Sequence, residues 1–244
     1  MLTVGVDLAA ADERTALAEI AWSDGGATLH RLTLGVGDAE IVAAARPADK
    51  TGIDCALGWP VPFLDLVAEH RTGHTASVAG PGEGSAWRRR MVYRTTDEAV
   101  RAAIPGLIPL SVSADRLAHA ALRCAGILAM LASYGVNVDR SGAGAIVEAY
   151  PSASLYRWGL PHRGYKPAGA PVDGLIAATR PWLDLGAHEP LMRASHDAFD
   201  AVIAALTARA AALGHTAGPD ARQRAVARVE GWIAVPTTGL DLLS

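Results

Sequence analysis

Leu2-Thr3-Val4-Gly5-Val6-Asp7-Leu8 reads as a strand of period two, with Leu2, Val4, Val6 and Leu8 on one face and Gly5 and Asp7 on the other. A carboxylate that interrupts an apolar strand is costly to bury unless it is paired or holds a metal. The same interruption returns in residues 51–57, a fourth strand by its pattern. Asp54 sits there in Gly52-Ile53-Asp54-Cys55-Ala56, and Gly58-Trp59-Pro60 stops the run. Strand ends in α/β sheets are where ligands bind. Two acids on neighbouring strands repel each other unless a cation lies between them.

Working outward, residues 15–22 and 27–34 flank the turn Asp24-Gly25-Gly26 and read as a hairpin. A short helix is expected over 38–45. Residues 113–134 place Leu117, Ala121, Leu122, Ala125, Leu128 and Leu131 at helical spacing, and Gly135 ends the run. A fifth strand follows at 145–149, then helical segments at 152–159 and 171–184, and a major helix at 196–213. Ser195 can cap the start of that helix and Gly214 its end. Residues 230–235 read as a short terminal strand or extended segment. A meander followed by α/β alternation predicts an α/β fold, a mixed sheet with helices on both faces. Residues 58–110 carry prolines, glycines, histidines and Trp87-Arg88-Arg89-Arg90, and read as an insertion with short helices after the fourth strand. With 244 residues the expectation is one domain, 1–244, containing that insertion.

The major helix opens Ser195-His196-Asp197-Ala198-Phe199-Asp200-Ala201. Asp197 and Asp200 are three apart and share a helix face, which Ala201, Ala204 and Ala208 continue. Small residues let the helix lie close to the sheet, so all four acids, Asp7, Asp54, Asp197 and Asp200, are expected to converge. Asp197 can also simply complement the helix dipole. Four oxygen ligands suit Mg²⁺ or Mn²⁺. Two such ions can activate a water and stabilise the leaving oxygen in phosphodiester hydrolysis.

Gly5-Val6-Asp7-Leu8-Ala9, Gly52-Ile53-Asp54-Cys55-Ala56-Leu57-Gly58-Trp59-Pro60, Tyr93-Arg94-Thr95-Thr96-Asp97, Glu148-Ala149-Tyr150-Pro151, His196-Asp197-Ala198-Phe199-Asp200-Ala201 and Glu230-Gly231-Trp232-Ile233 occur in that order. The set resembles the family known as domain of unknown function 429, described as RNase H-like nucleases by prediction. The Asp-Ala-x-Asp-Ala helix is also similar to the last acidic helix of RuvC-type Holliday-junction resolvases. The resemblance implies an RNase H-like five-stranded mixed sheet and metal-dependent cleavage of nucleic acid, DNA or RNA. RuvC-type enzymes carry Glu on the fourth strand where this chain has Asp54. Glu148, at the end of the fifth strand, then becomes a candidate additional ligand, or else an ion-pair or capping residue.

Arg88, Arg89 and Arg90 with Arg94 form the one basic cluster of the sequence. Guanidinium groups suit phosphate, and Trp87 and Tyr93 can stack on bases. The resemblance singles out Arg94, and the alternative is a solvated loop paired with Glu83 and Glu98. Lys166, after Tyr165, is a further candidate phosphate contact. His196 is a candidate ligand or base, Trp232 a packing anchor, and His70 and His74 lack the Glu of a metalloprotease helix. The net charge of -3 excludes a protein basic all over, so nucleic-acid contact must be local. Cys55 and Cys124 form no Cys-x-x-Cys pair. The N-terminus does not read as a signal peptide and no stretch reads as a membrane span, so a cytoplasmic protein is expected. An actin-like phosphotransferase would need glycine- and hydroxyl-rich turns after the first and fourth strands, and Leu8-Ala9-Ala10-Ala11 and Cys55-Ala56-Leu57-Gly58 supply neither. A non-catalytic binding protein with the same fold is the other alternative.

Overall fold

The computed structural model describes residues 1–74, 84–163 and 170–244. In chain order the elements are β1 (Leu2–Asp7), β2 (Ala16–Ser23), β3 (Gly26–Leu34), α1 (Asp38–Ala45), β4 (Lys50–Asp54), α2 (Val61–Thr72), α3 (Ala86–Val92), α4 (Thr95–Ala103), α5 (Ala118–Ser133), β5 (Ile146–Glu148), α6 (Pro151–Arg157), α7 (Ala170–Thr179), β6 (Leu183–Asp184), α8 (Glu189–Ala194), α9 (His196–Ala212), β7 (Thr216–Ala217), α10 (Arg224–Glu230) and β8 (Val235–Pro236). Among the described residues, six strands form a mixed sheet in the order β5-β4-β1-β2-β3-β6. The first three make the antiparallel meander that the Gly25 turn predicts, and β4 and β5 add in parallel beside β1.

Period two divides the sheet's side chains between two cores. Val4, Val6, Leu17 and Ile53 pack with Ile41 of α1 and Cys124, Ile127 and Leu131 of α5. Ala18 and Ile20 pack on the opposite face with Phe199, Val202 and Leu206 of α9 and Leu175 of α7. Every residue from Asp197 to Ala208 is buried, so α9 is a central helix. The Ser195 hydroxyl caps it by accepting from the Ala198 amide at 3.2 Å.

What holds α9 so near the sheet is a pair of glycines. Gly5 and Gly52 are register partners on β1 and β4. A Cβ on Gly5 would stand 2.0 Å from the Ala201 carbonyl oxygen and 2.2 Å from the Ala205 nitrogen, and one on Gly52 would stand 2.3 Å from the Ala204 oxygen. Backbone therefore meets backbone, and the small-residue face of the helix is the face that touches. Gly5→Ala is expected to destabilise the fold by roughly 3 kcal/mol, the upper end for overpacking a filled core. Urea unfolding reads this as a lower midpoint; an unchanged midpoint would mean that α9 does not bear on β1 there.

Four features differ from the sequence expectation. The sheet has six strands rather than five. Residues 171–184 are not one helix: α7 stops at Thr179, Pro181 cannot extend it, and Leu183 and Asp184 pair with Ala27 and Thr28 of β3. The fourth strand ends at Asp54 rather than residue 57. Residues 230–235 are a strand only at their end, where Val235 begins β8. Glu230 closes α10, Gly231 turns the chain at φ 88°, and Ile233 makes a single bridge to Glu148.

Candidate metal centre

Asp7 and Asp54 are the last residues of β1 and β4 and are register partners. Each lies two residues beyond its glycine, so both project on the α9 face. Asp200 comes down from the first turns of α9, at 1 % exposure. One carboxylate oxygen from each of the three lies within 4.8 Å of the others. Opposite ligands of a Mg²⁺ ion stand about 4.2 Å apart, twice its bond length. The three oxygens thus have the chemistry and the spread to hold one small hard cation.

Asp197 does not join them. Three residues of helix separate it from Asp200 by about 4.5 Å of rise, toward the helix start and away from the strand ends. There Arg14, in the connection between β1 and β2, takes it as a fork: Nε donates to Oδ2 at 2.9 Å and an amino nitrogen to Oδ1 at 3.2 Å. His196 Nε2 lies 2.9 Å from the same Oδ1. The hydrogen bond and charge of Asp197, with a further contribution from Asp7, raise the Arg14 pKa above its ordinary value. The four-acid expectation is corrected to three acids plus an Asp197–Arg14 pair at the rim. Asp197→Asn is accordingly expected to weaken Mn²⁺ binding by no more than about fivefold, the scale of a pair with one exposed partner. A loss as large as that of Asp200→Asn, measured by calorimetric titration, would return Asp197 to the ligand set.

The connection that carries Arg14 is tied down by Arg123 of α5. Its guanidinium donates to the Ala9 carbonyl at 2.9 Å and the Thr15 hydroxyl at 2.8 Å, and pairs with Asp12 at 2.6 Å and Asp38 at 2.5 Å. Neither arginine lies in a periodic or clustered stretch, so nothing in the sequence marks them. The paired Gly-x-Asp of residues 5–7 and 52–54 was the available signal for the glycines.

Arg94 has a different place from the one expected, and Glu148 takes the ion-pair place that was the alternative to a ligand. Arg94 is 2 % exposed. Its amino nitrogens meet both Glu148 oxygens at 2.7 Å, Asp97 Oδ1 at 2.8 Å and the Glu230 carbonyl at 3.1 Å. Burial alone would lower its pKa, but Glu148 and Asp97 outweigh that and hold the guanidinium charged. With every face of the group committed to protein oxygens, Arg94 is not presented to a phosphate. Glu148 is likewise outside the trio: burial pushes its carboxyl up, and Arg94 with the Leu57 amide opposes the shift. Glu230 accepts from the amides of Val61 and Thr95, at 2.8 and 2.7 Å, at the starts of α2 and α4. These four residues clamp the 58–110 segment, β5 and α10 together beside the turn that follows Asp54.

Arg88 and Arg89 lie on exposed α3. Arg89 forms a forked pair with Glu98 at 2.7 and 3.0 Å and stacks 5.1 Å from the Tyr93 ring centroid. Lys166 and Tyr165 lie outside the described residues. Cys55 and Cys124 are free and buried. Beside the trio, a cleft of about 570 Å³ is lined by Asp54, Asp200, Tyr150, Ser152, His162 and Arg163, together with residues 106–108. Burial, then the charges of Asp54 and Asp97, push the Tyr150 hydroxyl up to about 12, so it is a neutral donor at physiological pH.

Fold and site together define an α/β protein with a carboxylate trio at the ends of two parallel central strands. A family model matches residues 5–224, and the chain belongs to that family, DUF429, proteins of unknown function. No curated protein and no solved structure matches it. Among the described residues, no helix is long and apolar enough to cross a membrane.

Proposed function

We propose that the chain is an RNase H-like nuclease that hydrolyses phosphodiester bonds with Mg²⁺ or Mn²⁺ held by Asp7, Asp54 and Asp200. The observation that carries this is the convergence of three oxygen ligands at adjoining strand ends under a close-packed helix. The antiparallel meander followed by parallel strands supports the RNase H-like reading. An oxygen-only ligand set favours a hard cation over zinc. Such an ion supplies Lewis acidity toward a phosphoryl oxygen and lowers the pKa of bound water. The chain's own part is to fix the ligands: Gly5 and Gly52 set the height of α9, the β1–β4 register sets the spacing of Asp7 and Asp54, and Asp197 holds the Arg14 charge at the rim.

The test is calorimetric titration with Mn²⁺, alongside cleavage assays on branched DNA, single-stranded DNA and structured RNA, with and without EDTA. Saturable binding and EDTA-sensitive cleavage are expected. Absence of both in a folded preparation would overturn the proposal and favour a binding protein that keeps the fold.

A further inference from the structure

We infer that the cleft beside the carboxylate trio is a binding site for one unpaired strand of nucleic acid, with Arg163 as its phosphate contact. This rests on the reading of the trio as a phosphodiester-cleaving centre and names the substrate form that centre takes.

Three observations carry it. The first is shape. Asp54 and Asp200 line a cleft together with residues 106–108, Tyr150, Ser152, His162 and Arg163. Its volume of about 570 Å³ is in the range of a small-ligand site. A volume of that size holds a nucleotide but not the width of a duplex. A single strand, or a nucleotide turned out of its helix, can bring a phosphate down to the carboxylates.

The second is the placing of Arg163. It crosses the cleft: a terminal nitrogen donates to the Pro105 carbonyl at 3.2 Å, and the guanidinium lies over Gly106, where a Cβ would stand 2.3 Å from that nitrogen. Gly106, at φ 76°, is thus the gap that admits the group. The Arg163 side chain is exposed at the mouth, and the Pro105 bond uses one of its five donors. It is built to meet an anion entering the cleft. No lysine or arginine other than Arg163 lines this cleft among the described residues, whereas the Arg88–Arg90 stretch lines no part of it.

The third is the apolar surface next to that charge. Ile108 is 54 % exposed at the cleft wall, and the His162 ring is held edge-on to Tyr156 at 5.0 Å. Bases packed on flat apolar or ring surfaces, with one guanidinium on the backbone, is how single strands are held without sequence preference.

Binding is measured by fluorescence anisotropy in EDTA, so that neither metal nor cleavage enters. The probes are a labelled oligothymidylate, the matching oligouridylate, and the same oligothymidylate annealed to oligoadenylate. Single strands are expected to bind at least about tenfold more tightly than the duplex, by the bases that only they can offer. Arg163→Ala should weaken single-strand binding about tenfold, as loss of a charged hydrogen bond does. It should also flatten the slope of log affinity against log salt by about 0.7, one phosphate contact. Arg163→Lys should keep the slope. Ile108→Asp, at an exposed position, should weaken binding without loss of the circular-dichroism signal. Equal affinity for duplex, or an unchanged salt slope in Arg163→Ala, overturns the inference. Mn²⁺ titration of the same variants separates the two readings. Metal binding with no effect at Arg163 defeats the cleft alone, and an Arg163 effect in a chain that binds no metal defeats the nuclease alone.

Discussion

Asp200→Asn is expected to abolish Mn²⁺ binding and to lower any phosphodiester cleavage by at least about a thousandfold, the scale seen when charge stabilisation at a reacting centre is removed. Asp7→Asn and Asp54→Asn should do the same, because each contributes one of three oxygens that lie within 4.8 Å of one another. Each amide is nearly the same size as the acid it replaces, so the packing of β1, β4 and α9 is kept. The readout independent of substrate is thermal. A ligand present at a hundred times its Kd stabilises the native state by about 2.7 kcal/mol, which in a chain of this size raises Tm by roughly 5–10 °C. The parent chain should show that rise with Mn²⁺ and none of the three variants should. A full thermal shift in all three would place the metal elsewhere.

The second large effect is structural. Arg94→Ala is expected to destabilise the fold by roughly 3–5 kcal/mol, the cost of leaving a buried charge without its partner. Two carboxylates are orphaned: Glu148, 3 % exposed, loses both of its 2.7 Å bonds to the guanidinium, and the fully buried Asp97 loses its own at 2.8 and 3.1 Å. The loss should depend on pH in a definite direction. Burial already pushes the Glu148 carboxyl up, and without Arg94 it rises further, so the folded chain holds that proton more tightly than the unfolded one. A raised carboxyl costs stability increasingly as pH climbs from the unfolded value, near 4.3, through the folded one. The variant should therefore be least impaired near pH 4 and most impaired above neutrality. A pH-independent loss in urea unfolding would mean that packing, not the stranded charge, is responsible. Arg94→Met with Glu148→Met should recover part of the stability, since the Glu148 charge is then no longer left behind and only Asp97 loses its guanidinium.

How much of this was legible beforehand differs from residue to residue. Asp7 and Asp54 were legible because each is a charge that interrupts an otherwise apolar strand, and nothing local in the sequence accounts for it. Asp200 was legible from its small-residue neighbours. Helical spacing could show that Asp197 shares that face, but not that Asp197 stops short of the strand ends, because that depends on where the helix begins relative to the sheet. Arg94 and Glu148 stand 54 positions apart, and no periodicity links residues that distant. A cluster of arginines looks the same in sequence whether its members point to solvent or one of them turns inward to bury itself among carboxylates. The two-residue strand β6 was invisible for another reason: its existence depends on β3 offering an edge, not on any preference of Leu183 and Asp184.

The contact between Gly5 and Ala205 also dictates when the centre can come into being. It joins residues about 200 positions apart, and closing so long a loop is an entropic toll with no local contacts to offset it. On the ribosome, β1 and β4 are made early, but their α9 face stays bare until residues 196–212 emerge. A nascent or truncated chain that stops before that point carries two of the three acids on an uncovered apolar sheet, a species inclined to aggregate and unable to assemble the carboxylate trio. The helix that supplies the third acid is the same one that seals the core, so the centre can appear only as the core closes.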